Sequence, residues 1–146
     1  MGMFDSMHVS ASGLAAERLR MDVIAQNLAN ANSTRGADGQ PYRRHEVVFR
    51  SADVGASTSA SRSDRASDAP LQGVEPVAIV EDPSALRSAY DPQHPDADEN
   101  GYVHYPNVNP VTEMVDMMTA TRAYEANVTA MNAAKNMALK ALDILR

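Results

Sequence analysis

Apolar side chains recur every seven residues near both ends of the chain, and this spacing predicts two long amphipathic helices. The C-terminal row consists of Met117, Tyr124, Met131, Ala138 and Leu145, flanked by Ala120, Val128, Ala134 and Leu142. The N-terminal row consists of Met7, Leu14, Met21 and Leu28, widened by Ile24 and Ala25. Neither proline nor glycine follows Pro110, so the C-terminal helix is expected to continue without a break.

The C-terminal helix has a defined start, and it is longer than the diameter of a compact monomer. Asn109 is a suitable N-cap, Pro110 fits the first helical position, and Glu113 falls in the first turn. A helix over 110–146 would be about 55 Å long, whereas a compact globule of this chain length is about 40 Å across. The helix is therefore expected to pack against other chains.

Both helices also carry a second apolar row on roughly the opposite face. The rows consist of Ala16, Leu19 and Val23 in the first helix and of Ala123, Ala130, Met137 and Ile144 in the second. Because a helix that packs on one core shows a single apolar stripe, two rows predict burial on more than one side, in a bundle of at least two copies. The helix interiors also contain Asn27, Asn127, Asn132 and Asn136. Such asparagines either fix the register of packed helices or face water, and the pattern leaves both open.

The stretch 35–109 between the helices holds most of the prolines and glycines. Runs rich in β-branched and aromatic residues at 46–49, 74–80 and 101–105 predict short strands. Proline lacks an amide hydrogen, so Pro76 restricts the second strand to a sheet edge or a bulge. The middle of the chain is therefore expected to form a small β-rich region.

The fold class that follows is mainly α with a small β part. The run 51–69, rich in Ser, Ala and Asp, has no apolar period and is expected to be a flexible, disordered linker. The predicted organisation is an N-terminal helix within 1–34, a β and loop region at 35–109 and a C-terminal helix at 110–146.

Composition and charge narrow the classes of function. The 146 residues are 44% apolar, enough for one modest core. The net charge of −6 argues against nucleic-acid binding, which relies on Lys and Arg. The absence of cysteine excludes disulfides and thiolate zinc sites. No run approaches the roughly 20 apolar residues of a membrane span, and the first residues lack the features of a cleavable secretory signal.

The acidic segment 96–101 matches the opening of a calcium-binding loop, D-x-D-x-N-G. The motif requires a bidentate Glu at its twelfth position, which here is Asn107, so we prefer a polar turn with Gly101 at positive φ. The four histidines lack metal-binding spacing, and the common nucleophile and nucleotide-binding motifs do not occur. The sequence predicts no enzyme, no cofactor and no small-molecule substrate. A metal-regulated coiled-coil binding module stays as an alternative.

Long motifs near both ends resemble bacterial flagellar rod and hook proteins. The segments 10–18 and 21–32, SASGLAAER and MDVIAQNLANAN, resemble the N-terminal signature of this family. The segment 90–110 and the runs 113–117 and 122–128 resemble the same family, and its rod subunits in particular. Family-motif residues carried over on this basis are Asn27, Asn30, Pro106, Asn107, Asn109, Pro110, Glu125 and Asn127.

The resemblance implies a structural subunit of the proximal part of the flagellar basal-body rod. In this family the terminal helices pair as a coiled-coil-like hairpin and pack into the inner layer of a tubular assembly that transmits torque from motor to hook. The residues expected to pack between subunits are Leu14, Met21, Ile24, Leu28, Met117, Tyr124, Val128, Met131, Leu142 and Leu145. The loop 91–98 is expected to contact a neighbouring subunit or to brace the helix that follows it.

The resemblance also implies a location and partners. Subunits of this family reach the periplasm-spanning rod through the flagellar type III export apparatus without a cleaved signal peptide. The implied partners are copies of the chain, other rod proteins, the rod-base adaptor and the export apparatus, and not nucleic acid. Another axial subunit, of the distal rod or the hook, is the alternative within the family.

Overall fold

The computed structural model describes residues 3–36, 38–53 and 72–144. Within them the chain forms helices α1 (Met3–Ala29) and α2 (Pro110–Ile144) and strands β1 (His45–Asp53), β2 (Gln72–Glu81), β3 (Arg87–Tyr90) and β4 (Tyr102–Tyr105). The strands form two antiparallel pairs, β1 with β2 and β3 with β4. The described chain is thus mainly helical with a small β part, as predicted.

Helices α1 and α2 pack against each other in antiparallel orientation. The Thr121 hydroxyl lies 3.7 Å from the Met21 sulfur, and Asn27 near the end of α1 contacts Glu113 in the first turn of α2. Near the middle of both helices, Gly13 approaches Asn127 so closely that an added Cβ would lie 2.9 Å from Asn127 Nδ2. Glycine within a helix costs about 1 kcal/mol, and here it permits this close approach.

The seam between the helices is lined by small and polar side chains. The buried residues of the two helices are Glu113, Ala120 and Ala134 in α2, and Ile24 and Asn27 in α1 together with Ala16 and Val23 of its second apolar row. The larger side chains of the predicted sevenfold rows flank this seam and are mostly half-buried. The sevenfold period is therefore correct, but the buried residues of α2 lie three or four positions along the chain from the predicted row, where alanine lets the helices approach.

The other side of α1 is covered by the β1–β2 pair. The Val74 amide donates a hydrogen bond to Ser12 Oγ (3.1 Å), and the Arg20 guanidinium lies over the Phe49 ring, 5.7 Å from its centroid. Helix α1 is therefore buried on two sides by its own chain. The inference that its second apolar row requires another copy was wrong for this helix, because the β region supplies that contact.

The β1–β2 pair follows the sequence pattern closely. The register shifts between Val48 and Phe49, and Phe49 pairs with Pro76, which confirms that Pro76 lies at a bulge in an edge strand. Strand β1 extends to Asp53, so the first residues of the predicted linker, 51–53, belong to the strand. The rest of that linker, 54–69, lies outside the described residues.

The β3–β4 pair precedes α2. Tyr90 pairs with Tyr102 across the two strands, and Gly101 adopts a φ of +79° at the turn, as the polar-turn interpretation predicts. Strand β3 was not expected from the sequence, because RSAY is too short and too polar to stand out from the loop around it.

Candidate assembly surface and polar junction

Asn27 joins three parts of the chain near the end of α1. Its Nδ2 donates to the His45 carbonyl oxygen (2.8 Å) and to Glu113 Oε2 (3.1 Å). Its Oδ1 accepts hydrogen bonds from the His45 amide (2.9 Å) and the Tyr42 hydroxyl (2.9 Å). The residue is 1% exposed, and both polar atoms of its amide are fully used. Asn27 thus holds the start of β1 as a neighbouring strand would.

Glu113 is fully buried in the first turn of α2. Its Oε1 lies 2.6 Å from Arg44 Nε, and its Oε2 accepts the hydrogen bond from Asn27. A buried carboxylate is tolerated only when it is paired and hydrogen-bonded, and Arg44 and Asn27 meet both conditions. The hydrogen bond to Glu113 also raises the pKa of the Arg44 guanidinium, so Arg44 keeps its positive charge in the ion pair.

Asn107 holds the same strand start from the side of α2. Its Oδ1 accepts a hydrogen bond from the Arg44 amide (2.8 Å), and its Nδ2 donates to Ser84 Oγ (2.8 Å) and the Asp82 carbonyl oxygen (3.1 Å). The Ser84 amide donates to Asp82 Oδ1 (2.8 Å) and lowers the pKa of the Asp82 carboxyl. The segment before α2 is therefore hydrogen-bonded to the residue that precedes β1 and to the residues that follow β2.

Tyr42 completes this cluster. Its hydroxyl donates to Asn27 and lies 2.9 Å from His45 Nδ1. Burial, followed by the negative charges of Glu113 and Glu81, raises the pKa of Tyr42, and the protonated hydroxyl can thus donate to Asn27. We call the cluster of Asn27, Tyr42, Arg44, His45, Asn107 and Glu113 the polar junction. It joins α1, the start of β1 and the start of α2 into one unit.

The polar junction was largely missed from the sequence. For Asn27 the pattern left open whether the side chain faces water or fixes a register, and in the structure it is buried and contacts Glu113 of α2. Glu113 was expected only as a first-turn acid of α2, and Tyr42 and Arg44 were not singled out. Their partners lie far apart along the chain, so spacing alone carried no signal of the cluster.

The acidic loop between β3 and β4 contacts the segment that follows α1. Asp96 pairs with Arg35 (2.9 Å) and accepts a hydrogen bond from the Thr34 hydroxyl (2.8 Å). Asp98 Oδ1 accepts from two backbone amides of its own turn (2.9 Å each). The resemblance implied a contact with another subunit or with α2. Within the chain, Asp96 braces the segment that follows α1, and the contact with another subunit stays a prediction.

The first turns of α2 expose four large apolar side chains. They lie at positions i, i+3, i+4 and i+7 on the face directed away from α1: Val111 (64% exposed), Met114 (47%), Val115 (51%) and Met118 (56%). We call this set the apolar stripe. A helix packed on one side normally places polar residues on its solvent face, so the apolar stripe marks a surface for another molecule.

A second apolar group lies at the far end of α2. Met137, Leu139 and Leu142 are 61%, 51% and 64% exposed. In the register set by Gly13 and Asn127, Met3, the first described residue of α1, lies level with about residue 137 of α2. We call Leu139 and Leu142 the apolar tip.

The residues predicted to pack between subunits occupy three kinds of position. Ile24 is buried within the chain, whereas Leu28 (37% exposed) and Leu142 lie at the surface. Half-buried positions at the edges of the helix seam are Leu14, Met21, Met117, Tyr124, Val128 and Met131. Leu145 lies outside the described residues.

The family-motif residues also separate by position. Asn109 Oδ1 accepts a hydrogen bond from the Val111 amide (3.0 Å), which confirms Asn109 as the N-cap and Pro110 as the first residue of α2. Pro106 is buried beside the polar junction. The remaining members are Asn30, which bonds to the Gln26 carbonyl oxygen, the half-buried Asn127 and the exposed Glu125.

Comparisons with known proteins agree with this architecture. The model of the family described as "Flagella basal body rod protein" matches residues 7–37, and that of "Flagellar basal body rod FlgEFG protein C-terminal" matches residues 99–144. These matches cover α1 with its exit and β4 with α2.

Full-length relatives carry the name "Flagellar basal-body rod protein FlgC". The chain is 47% identical to the one from Bacillus subtilis, covering 99% of each chain. It is 45% identical to the one from Borreliella burgdorferi, covering 100% of this chain and 99% of the relative. The protein from Salmonella typhimurium is 40% identical, over 99% and 98%.

Among the described residues, no helix combines the length and apolar character of a membrane span. The rod-family matches at both ends and the full-length relatives favour a rod subunit over the metal-regulated module and over a hook or distal-rod subunit. The chain belongs to the FlgC family of flagellar basal-body rod proteins and is a structural subunit of the basal-body rod.

Proposed function

We propose that this subunit enters the rod by helix–helix packing and transmits torque through the faces of α1 and α2 that its own chain leaves exposed. The observation that carries the proposal is the apolar stripe. Its members lie in the first three turns of α2, on a face that neither α1 nor the β region covers. The half-buried residues at the edges of the helix seam extend this surface toward neighbours, in a coiled-coil-like arrangement.

The energetics suit a polymer with many shallow contacts. Burying the exposed half of a Val or Met side chain contributes about 1 kcal/mol, so the apolar stripe contributes about 4 kcal/mol when covered. One such contact is too weak to hold a complex alone, because association itself costs several kcal/mol. Several contacts per subunit share the load and still permit ordered addition of subunits.

The polar junction supports torque transmission in a different way. It ties α1, α2 and the β region together through buried hydrogen bonds and the Arg44–Glu113 ion pair. A force applied to the outer β region therefore reaches both helices through polar contacts of defined geometry. The subunit is expected to act as one mechanical unit.

The resemblance to flagellar rod proteins supports the remaining parts of the proposal. The subunit occupies the proximal rod, reaches it through the flagellar type III apparatus without a cleaved signal, and contacts copies of itself, other rod proteins and the rod-base adaptor. The three predicted segments, 1–34, 35–109 and 110–146, correspond to the two helices of the rod layer and the small outer part.

Met118→Asp tests this proposal directly. The variant places a charge at the C-terminal end of the apolar stripe, so we expect normal folding and export but no rod assembly, because a packed contact cannot bury an unpaired carboxylate. Cells that carry the variant in place of the native subunit should be non-motile, and electron microscopy should show basal bodies without a rod.

Asn132→Asp is the matched control. Asn132 lies two heptads after Met118 on the same face of α2 and is also exposed, so it introduces the same charge outside the apolar stripe. The control should assemble and support swimming. Normal rods from Met118→Asp would reject helix packing through this face.

A further inference from the structure

Strand β1 has one long edge that no other strand of the described chain pairs with. We propose that this edge takes an added strand, an extended basic segment of another protein, in the groove between β1 and α2. The surface is distinct from the apolar stripe, so the inference does not depend on the helix packing proposed above.

The register of the β1–β2 pair determines which backbone groups point away from β2. At one end, both backbone groups of His45 are hydrogen-bonded to the Asn27 side chain. At the other end, Ser51 stands opposite Val74, whose amide donates to Ser12 of α1. Because the residues of an antiparallel strand point alternately toward and away from the partner strand, every second residue from His45 to Ser51 points outward.

We call the outward backbone groups of Val47, Phe49 and Ser51 the open edge. In the part of the chain that the structure describes, none of these groups has a hydrogen-bond partner. They present a donor and an acceptor at every second residue, about 7 Å apart. Another extended polypeptide has the matching pattern, so the open edge is suited to binding a strand.

The outer edge of β2 is closed to such pairing. Pro76, which lacks an amide hydrogen, stands opposite Phe49, and Val77 is the extra residue of the bulge. The Val74 amide is already bonded to Ser12 Oγ (3.1 Å). Strand β1 contains neither a proline nor an extra residue. The β1–β2 pair is therefore protected on one side and open on the other.

The open edge lies in a groove that has α1 as its floor and α2 as its far wall. Strand β1 and helix α2 both start beside Asn27 and run along α1 in the same direction. The start of the groove is lined by Arg20 and Ile24 of α1, Val47 of β1 and Asp116 of α2. Every Cα atom of β1 lies more than 8 Å from every Cα atom of α2, so α2 does not cover the open edge.

The groove suits a single strand and not the sheet of a second copy. A strand added to β1 would lie about 5 Å from it, whereas the β1–β2 pair of a second copy would need about 10 Å on the side that α2 occupies. Within the described residues, each strand already has a partner in its own chain. The added strand is therefore expected from a segment of another protein that is extended before it binds.

The charge at the start of the groove favours a basic segment. The carboxylates of Glu46, Glu113 and Asp116 lie 3.7, 2.6 and 3.6 Å from the Arg44 guanidinium, and three negative charges against one positive charge leave −2. Glu113 makes the closest contact, while the side chains of Glu46 and Asp116 are 65% and 44% exposed. Arg20, the other base of the groove, has its own acid 3.6 Å away. A Lys or Arg of the added strand would balance this excess.

Hydrogen exchange tests the inference on the native protein. In the free chain we expect the three amides of the open edge to exchange rapidly, whereas Val48 and Arg50, which bond to β2, exchange slowly. In isolated basal bodies, mass spectrometry with fragmentation to single residues should show the open-edge amides slowed by about 100-fold. Equal rates in the two samples would overturn the inference. Protection in a dimer of the concentrated free chain would also overturn it, because a second copy would then supply the strand.

Proline at two opposite positions separates the open edge from effects on the fold. Val47 and Ile79 stand opposite each other, and both amides point away from the partner strand, so proline at either position removes no hydrogen bond of the β1–β2 pair. We expect Val47→Pro to abolish swimming and Ile79→Pro to preserve it, with native circular dichroism for both. If Val47→Pro does not fold, Ser51→Pro with Ser51→Ala as its control replaces it. The same swimming phenotype in the two proline variants would reject the open edge as the binding surface.

Neutralising the exposed acids tests the basic character of the partner. In Glu46→Gln/Asp116→Asn, we expect the open-edge amides of the basal body to exchange about ten-fold faster than in the native protein. The control Glu99→Gln/Asp143→Asn removes two exposed acids elsewhere and should leave the exchange unchanged. Equal exchange in the two double variants would refute a basic partner. None of these results bears on the helix-packing proposal, which fails only if Met118→Asp still forms rods.

Discussion

The polar junction shows how a few buried polar residues organise an otherwise weak core. The described chain buries few large apolar side chains, and its fully buried residues include Glu113 and Asn27 beside Val103 and Pro106. Each polar group in the junction is hydrogen-bonded, so burial imposes a geometry without leaving unpaired atoms. Two amide side chains hold the start of β1: that of Asn27 at the end of α1 and that of Asn107 just before α2.

Replacing Asn27 tests the polar junction at the scale of one residue. Asn27→Ala removes four hydrogen bonds and leaves the His45 backbone groups and the Tyr42 hydroxyl without this partner. We expect a loss of about 3 kcal/mol in the free energy of unfolding, measured by urea titration with circular dichroism. Asn30→Ala, one turn later, removes hydrogen bonds to the exposed Gln26 carbonyl and from the Ser33 hydroxyl and should cost less than about 1 kcal/mol, because water can replace both. Equal losses from the two variants would contradict the role assigned to Asn27.

At the scale of the element, the helix pair depends on close approach and not on large apolar residues. The seam contains Ala16, Ala120 and Ala134, and Gly13 faces Asn127. The sevenfold pattern of the sequence predicted both helices and the cap of α2. It did not predict which side of each helix is buried within the chain, because large and small apolar residues alternate around both helices and the β region covers one side of α1.

A double-mutant cycle between Gly13 and Asn127 tests this close approach. Gly13→Ala alone should destabilise the protein by about 1 kcal/mol, because the new Cβ would lie 2.9 Å from Asn127 Nδ2. In an Asn127→Ala background the same change should stabilise by about 1 kcal/mol, since alanine favours the helix over glycine. The expected coupling is about 2 kcal/mol in unfolding experiments. Additive effects would show that the helices lie further apart at this point.

At the scale of the whole molecule, the described chain is an antiparallel helix pair with the β1–β2 pair lying along α1, from Asn27 to Ser12. The sequence predicted the fold class, three of the four described strands, the bulge at Pro76 and the family. It did not predict the apolar stripe, because the members of the stripe belong to neither sevenfold row of α2. It also did not predict the polar junction, whose members meet only in the folded chain. Sequence periodicity identifies helices and strands. The assembly surface depends instead on which faces of these elements the rest of the chain leaves uncovered.

The central claim is that rod assembly covers the apolar stripe, and thiol protection at Met118 tests it most directly. Met118→Cys places a single thiol in a chain without cysteine, and Glu99→Cys in the exposed turn before β4 is the control. We predict that maleimide labels both variants rapidly in the free chain. In isolated basal bodies, labelling of Met118→Cys should slow at least ten-fold while Glu99→Cys stays reactive. Equal reactivity of Met118→Cys in the free chain and in the basal body would contradict the account.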